Sequence, residues 1–201
     1  MTKGLIWFRS DLRIDDNPAL LEAANSCDEL IGIYIFSQKQ WNMHHESNVK
    51  QDFLIQNLCT LEKQLKKLNI PLIVMLTDTF KVLPEDLQKF IDIHQIKSCH
   101  WNNEFGVNEN KRDDAVEILL SANSIQISRH HDQVVYEPGF LRTGQDKPFS
   151  VFTPFKRRWI ENFSMSFLDL SKVDKPLKKT SLTSDLSALK LEKSHQVNMD
   201  A

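Results

Sequence analysis

Five short apolar runs recur along the chain, and the stretches between them carry apolar residues at helical spacing. The runs cover residues 4–8, 29–36, 72–76, 97–102 and 125–128. Runs of this length are typical of strands, and the second run (ELIGIYIF) is almost continuously apolar, as expected for a strand that is covered on both faces. The alternation of strand and helix therefore predicts an α/β fold with a doubly wound, five-stranded parallel sheet and helices on both faces.

The longest predicted helix begins at Ser47 and ends before Pro71. Its leucines step by four and three residues, which places them on one buried face: Leu54, Leu58, Leu61, Leu65 and Leu68. A further helix begins at Pro84, since proline suits the first turn of a helix. Another helix follows Asn108, and its apolar residues predict a buried stripe of Ala115, Ile118, Leu119 and Ala122.

The composition weighs against several classes of protein, among them nucleic-acid-binding, dinucleotide-binding and membrane proteins. The chain has 201 residues, of which 41% are hydrophobic, and a formal net charge of −2, which fits one well-buried domain and gives no basic excess for nucleic-acid phosphates. Its five glycines form neither G-x-G-x-x-G nor a P-loop, which weighs against a glycine-cradled dinucleotide or triphosphate. Cys27, Cys59 and Cys99 form no C-x-x-C pair, and no apolar stretch resembles a signal peptide or membrane span. We expect a cytoplasmic protein with reduced thiols.

The composition changes after Phe163, where serine, lysine, threonine and aspartate become frequent and apolar periodicity fades. We therefore expect residues 1–163 to form the α/β domain and residues 164–201 to form a linker or disordered tail. The stretch 132–147 before this boundary is predicted to be irregular, because it carries turn signals at Pro138-Gly139 and Thr143-Gly144.

Candidate chemistry follows the strands, because ligands of open parallel sheets bind at the carboxyl ends of the strands. Phe36 ends the second strand, Trp41 and His44 lie in a predicted loop over residues 37–46 that follows it, and Asn108 and Glu109 follow the fourth strand. On the residues alone, ordinary helix capping is the favoured interpretation of the last two, and ligand binding is the alternative.

The first strand is followed by a charged loop within residues 7–20, which either fixes the corner between strand and helix or binds a ligand. Metal binding by residues 44–46 (HHE) or 130–132 (HHD) is disfavoured, because adjacent histidines point apart and no further ligand completes either set. The sequence therefore predicts no metal site.

Three segments resemble signatures of the DNA photolyase/cryptochrome family. Residues 7–20 (WFRSDLRIDDNPAL) are similar to its opening signature, W-F-R-x-D-L-R-x-x-D-N-x-A-L. Residues 101–113 resemble Y-N-x-x-Y-x-x-N-E-x-x-R-D, with Trp101 and Phe105 at the tyrosine positions, and residues 151–159 resemble V-F-T-P-F-x-x-x-W. The resemblance is strongest to folate-type class I cyclobutane pyrimidine dimer photolyases, and it implies the strand order 3-2-1-4-5.

The same resemblance implies a light-harvesting cofactor, methenyltetrahydrofolate, held by the residues that match His44, Asn108 and Glu109, beside Phe36 and Trp41. In this family catalysis belongs to a second, helical domain that binds FAD and receives damaged DNA. We expect these 201 residues to carry the antenna site, no catalytic residue and no flavin. The implied partner is a separate or lost FAD-binding domain, with damaged DNA reached only through it, and no membrane. The face that would meet this domain is expected to be apolar and partly exposed around residues 151–159, which favours self-association.

Alternative functions remain open on the sequence. One is an α/β interaction or remnant domain that binds no ligand, and another is a fragment of a cryptochrome-type photoreceptor. A nucleotide-binding hydrolase or ligase with the same strand order is a further candidate, although the missing phosphate loop weighs against it. Near-UV absorption after incubation with reduced folate distinguishes the antenna domain from a ligand-free one.

Overall fold

The computed structural model describes residues 2–43, 45, 47–165, 172–173 and 177–189. The strands are β1 (Lys3–Phe8), β2 (Glu29–Phe36), β3 (Leu72–Leu76), β4 (Ser98–Asn102) and β5 (Gln126–His130). The helices are α1 (Pro18–Ser26), α2 (Gln38–Met43), α3 (Asn48–Lys67), α4 (Leu83–His94), α5 (Val107–Ala122) and α6 (Phe152–Asn162). Across these described residues, no helix combines the length and the apolar character needed to cross a membrane.

The five strands form one parallel sheet in the order β3-β2-β1-β4-β5, which confirms the predicted fold class and strand order. Strand β1 is central and pairs with β2 on one side and β4 on the other; Ile6, for example, lies between Gly32 and His100. From β1 the chain adds β2 and then β3 on one side of the sheet, and it then crosses to the other side of β1 to add β4 and β5. The direction in which strands are added therefore reverses between β1 and β4. Open α/β sheets bind ligands at this kind of switch point.

A hydrophobic core covers each face of the sheet. Ile6 and Phe8 of β1 pack toward Leu58 and Leu65 of α3, while Leu5 packs on the other face with residues of α4 and α5. The leucine face predicted for α3 is confirmed, because Leu58, Leu61 and Leu65 are buried. The predicted start is also confirmed, since the Ser47 side chain caps the helix by accepting from the backbone N–H of Lys50.

Two predictions about local structure are wrong. The stripe predicted for α5 is displaced, because Ile118 is 72% exposed and Val116 and Leu120 are buried instead. The buried face of α5 also carries Arg112 and Asp113, which an apolar pattern could not reveal. In addition, the stretch after β2 is not only a loop, since residues Gln38–Met43 form α2.

Residues 177–189 differ from the expected linker or disordered tail, because they pack along the free edge of β3. The backbone N–H of Asp185 donates to the carbonyl of Leu72 at 2.9 Å, and the N–H of Val74 donates to the carbonyl of Asp185 at 2.8 Å. Leu186 and the buried Leu189 pack against the core beside α3. Burial of these leucines and the two backbone hydrogen bonds hold the segment in place and cover an edge that would otherwise be open to pairing.

A surface of apolar and aromatic residues lies within residues 134–163, which we call the aromatic surface. Phe140 and Phe152 are well exposed, and no residue of α6 is buried. Tyr136 stacks on Phe140 with ring centroids 5.5 Å apart, and Trp159 stacks on Phe163 at 5.2 Å. The sequence expectation of a partly exposed apolar region around residues 151–159 agrees with this surface, and patches of this kind mark interaction sites.

Candidate functional site

A cavity of about 520 Å³ opens at the carboxyl ends of β1, β2 and β4. Its aromatic walls come from the strands, α2, α3 and the turn before α4: Trp7, Tyr34, Trp41, Phe53 and Phe80. Its charged lining consists of Arg9, Arg13, Lys50, Glu104, Glu109 and Arg112. The cavity thus lies at the switch point of the sheet, and its size is within the usual range of small-molecule sites.

One wall of the cavity is fixed by a buried cluster of two arginines and two carboxylates. Arg9 Nη1 donates to Asp113 Oδ2 at 2.8 Å, and Arg112 Nη2 donates to Asp113 Oδ1 at 2.7 Å. Arg112 Nη2 also donates to Glu104 Oε2 at 2.9 Å. Both guanidinium groups lie over the ring of Trp7, at 4.9 Å for Arg9 and 4.8 Å for Arg112.

The charges of this cluster balance, and its electrostatics keep the carboxylate in its ionised form. Burial alone would raise the pKa of Glu104, but Arg9 and Arg112 outweigh burial and hold that pKa below its usual value. Burial also lowers the pKa of Arg9, whose Nε and Nη2 have no hydrogen-bond partner among the described residues. The cluster therefore supplies the cavity wall with an ionised carboxylate, Glu104, which accepts a hydrogen bond from Arg112 and lies 3.9 Å from the Nε of Arg9.

The charged loop after β1 is positioned by a buried amide of β4. Asn102 Nδ2 donates to Asp11 Oδ2 at 2.6 Å and to Asn17 Oδ1 at 2.9 Å, while Asn102 Oδ1 accepts from the backbone N–H of Ala19 at 3.1 Å. Asn17 Oδ1 also accepts from the N–H of Leu20 and so caps α1. Asp11 and Asn17, two polar residues of the opening signature, therefore fix the corner between strand and helix rather than line the cavity.

The structure brings together only some of the residues predicted for the site. Trp41 and Glu109 line the cavity, and Phe36 supports Trp41 from behind with ring centroids 5.2 Å apart. Asn108 is exposed in the first turn of α5 and does not line the cavity. The helix begins at Val107, with Gly106 at the capping position, so Asn108 does not cap it as expected. His44 lies outside the described residues.

Sequence reasoning missed Glu104, Arg9 and Arg112 as a single wall of the cavity. Arg9 and its partner Asp113 are 104 positions apart in the sequence, so no local spacing links them. The family signatures contain an arginine at both positions 9 and 112, and this is the signal that could have pointed to a paired role. Among the described residues, no three histidine, cysteine, aspartate or glutamate side chains group as a metal site would require.

This arrangement suits a flat heteroaromatic ligand. Trp41 and Phe53 line the cavity with aromatic rings on which a flat ligand can stack, and the carboxylates of Glu104 and Glu109 can accept hydrogen bonds from ring or amino N–H groups. An apolar wall with a few polar groups that converge on the ligand is the usual composition of a cofactor site. The cavity can therefore bind and orient such a ring.

Comparisons with known proteins agree with the fold. The family model described as DNA photolyase matches residues 4–178. A deoxyribodipyrimidine photo-lyase of Vibrio cholerae is 37% identical over 162 residues, which cover 79% of this chain and 34% of that protein. The crystal structure of a bacterial class III photolyase from Agrobacterium tumefaciens superposes with a TM-score of 0.73 at 24% identity, covering 94% of this chain and 38% of that one.

An archaeal photolyase from Sulfolobus tokodaii, solved with two FAD molecules, also gives a TM-score of 0.73, at 20% identity and over 89% of this chain and 39% of that one. At these identities the two solved structures establish the fold alone. The chain spans about a third of the length of the curated photolyases that it matches. The family model, in contrast, matches most of the chain, and it includes all five strands of the sheet. This chain belongs to the DNA photolyase family.

Proposed function

We propose that the chain is the antenna-binding domain of a photolyase and that the cavity holds methenyltetrahydrofolate. The observation that carries this proposal is the cavity itself, in which a partly buried glutamate, Glu109, faces a space with aromatic walls at the switch point of the sheet. Membership of the photolyase family supports it, because the proposed ligand is the antenna of the branch that the sequence resembles most.

The residues of the cavity fit a pterin. The Glu109 carboxylate can accept one hydrogen bond from the pterin amino group and one from a ring N–H, and a charge-assisted hydrogen bond contributes about 1.5–3 kcal/mol. Trp41 and Phe53 provide apolar faces for the ring. When bound, the folate supplies near-UV absorption, while the protein's own residues bind the ring, orient it and exclude water from one side.

Three further residues of the proposed site act around this contact. Asn108 is next to Glu109 in the first turn of α5 but does not line the cavity, so its role rests on the resemblance to folate-type photolyases. Phe36 acts indirectly, because it packs behind Trp41. A role for His44 rests on the resemblance to folate-type photolyases.

The partner that this proposal implies is the FAD-binding part of a photolyase, which would carry the action on damaged DNA. The aromatic surface is the face that we assign to this contact, because Phe140 and Phe152 are exposed there and α6 buries none of its residues. Without that partner, the same apolar surface favours self-association of the chain.

The test is a titration of the purified chain with methenyltetrahydrofolate, followed by near-UV absorbance, for the wild type and Glu109→Ala. We expect the substitution to weaken binding about tenfold or more, because it removes a charge-assisted contact. Glu85→Ala is the matched control, since Glu85 also lies in the first turn of a helix, α4, but is exposed outside the cavity. Its affinity should equal that of the wild type.

Equal affinities for the wild type and Glu109→Ala would place the ligand elsewhere and contradict the proposed site. No binding to any variant would favour the ligand-free alternative. The same titration with FAD tests a flavin antenna, because the Sulfolobus tokodaii photolyase was solved with two FAD molecules that were taken to imply a novel light-harvesting cofactor. Binding of FAD but not of folate, with loss in Glu109→Ala, would keep the cavity as an antenna site and overturn the choice of folate.

A further inference from the structure

The Glu109 side chain lies directly against Gly106, in space that is open only because residue 106 has no side chain. A Cβ built on Gly106 would overlap the carboxylate of Glu109, and Glu109 Cγ lies 3.5 Å from the same point. The glutamate therefore folds back over the start of α5, and its carboxylate occupies the space that the side chain of any other residue at 106 would enter. Glu109 also lines the cavity, so the same position decides where the carboxylate meets a ligand.

The backbone at Gly106 does not require glycine. Its φ of −66° and ψ of 146° are extended values that every L residue adopts without strain. Gly106 also accepts a backbone hydrogen bond from Asn110 at 2.9 Å, which a side chain would leave intact. Among the described residues, the nearest atoms that a Cβ at 106 would meet all belong to Glu109, a flexible side chain that can move. An alanine here is therefore expected to move the carboxylate rather than to disturb the fold.

We infer that Gly106 is a positioning residue for the antenna site: its missing side chain sets where the Glu109 carboxylate points and so determines the affinity for the N–H edge of the ligand. This inference rests on the proposed function for its consequence in binding. Its structural part, the dependence of Glu109 on residue 106, does not require a ligand. The two parts can therefore be measured separately.

The experiment compares the wild type, Gly106→Ala, Glu109→Ala and the double variant as intact chains. Methenyltetrahydrofolate affinity and the near-UV maximum of the bound ligand are measured for each, and NMR contacts between the Glu109 side chain and the Hα protons of residue 106 are measured without ligand. We expect Gly106→Ala to lose these contacts, to weaken binding about three- to tenfold and to shift the absorption maximum. Its thermal midpoint should fall by no more than about 4 °C, because alanine is a poorer N-cap residue than glycine but the rest of the fold is untouched. In the Glu109→Ala background, the second substitution should change the affinity no further.

Gly144→Ala is the matched control, because a Cβ at Gly144 would meet no atom within 4 Å. It should leave affinity and spectrum unchanged. Unchanged NMR contacts in Gly106→Ala, or an affinity equal to that of the wild type while Glu109→Ala is weakened, would overturn the inference. If no protein binds the folate but the contacts are lost in Gly106→Ala, the positioning role stands and the proposed function fails.

Discussion

Asp113→Asn should destabilise the chain by about 3–5 kcal/mol, because it removes one charge from a buried ion cluster. Asp113 is fully buried and accepts hydrogen bonds from Arg9 and from Arg112, whose side chains are only 5% exposed. The substitution leaves two buried guanidinium groups with Glu104 as their remaining carboxylate. The loss is measured as a fall in the urea midpoint at unchanged slope.

The neighbouring residue provides the control. Asp114 also pairs with an arginine, Arg129, at 3.0 Å, but its side chain is 61% exposed. Exposed ion pairs contribute about 0–1 kcal/mol, so Asp114→Asn should change the midpoint little. Similar losses for the two variants would show that the cluster at Asp113 is no more important to stability than a surface ion pair.

Acidification below neutral pH should destabilise the chain by up to about 3 kcal/mol through His100. This histidine is buried under α1, with its Nε2 3.1 Å from Ser98 Oγ and 3.9 Å from Cys27 Sγ, and its Nδ1 has no hydrogen-bond partner among the described residues. Burial, and then the charge of His130, lower the pKa of His100 to about 4 from the 6.5 of a free histidine. The imidazole is therefore neutral in the folded chain at pH 5, where most unfolded chains carry the proton.

The sign of this effect follows from proton binding. Between pH 6.5 and pH 4 the unfolded state binds a proton that the folded state excludes, so stability is intact above pH 6.5 and declines as the pH falls through this window. Urea midpoints at pH 7 and pH 4.5 measure the decline, and His100→Gln should show a smaller decline than the wild type. An equal decline in both proteins would assign the acid sensitivity to other groups.

The elements of the fold could be predicted where burial follows a regular period. The leucines of α3 recur on one face, and the apolar strands are short and continuous, so their positions and the parallel sheet follow from the sequence. The prediction failed at α5 because that helix buries Arg112 and Asp113, and a charged residue is buried only where a partner from elsewhere in the chain neutralises it. Apolar periodicity contains no information on such partners.

The candidate site was also predictable only in part, because several of its residues are held by partners that are distant in the sequence. Trp41 and Glu109 were identified from their places after strands, and the structure puts both on one cavity. The charged loop of the opening signature was compatible with either fixing the corner after β1 or binding a ligand. The structure divides these roles, because Asp11 and Asn17 hold the corner through Asn102 while Arg9 and Arg13 line the cavity. The packing of residues 177–189 was missed because serine, threonine and lysine together outnumber their leucines. Leu189 is buried and the other leucines are partly buried, because the segment pairs with the free edge of β3.

The cavity at the carboxyl ends of β1, β2 and β4 is the proposed binding site of the antenna. The most direct test is a ¹H–¹⁵N NMR spectrum of the labelled chain, recorded as methenyltetrahydrofolate is added. Trp41 lines the cavity and Trp159 lies on the aromatic surface, so their indole N–H signals report on the two regions separately. We predict that the signals of Trp41 and of the Glu109 amide shift with ligand concentration while that of Trp159 stays in place. Shifts at Trp159 alone, or at none of these groups, would contradict the account.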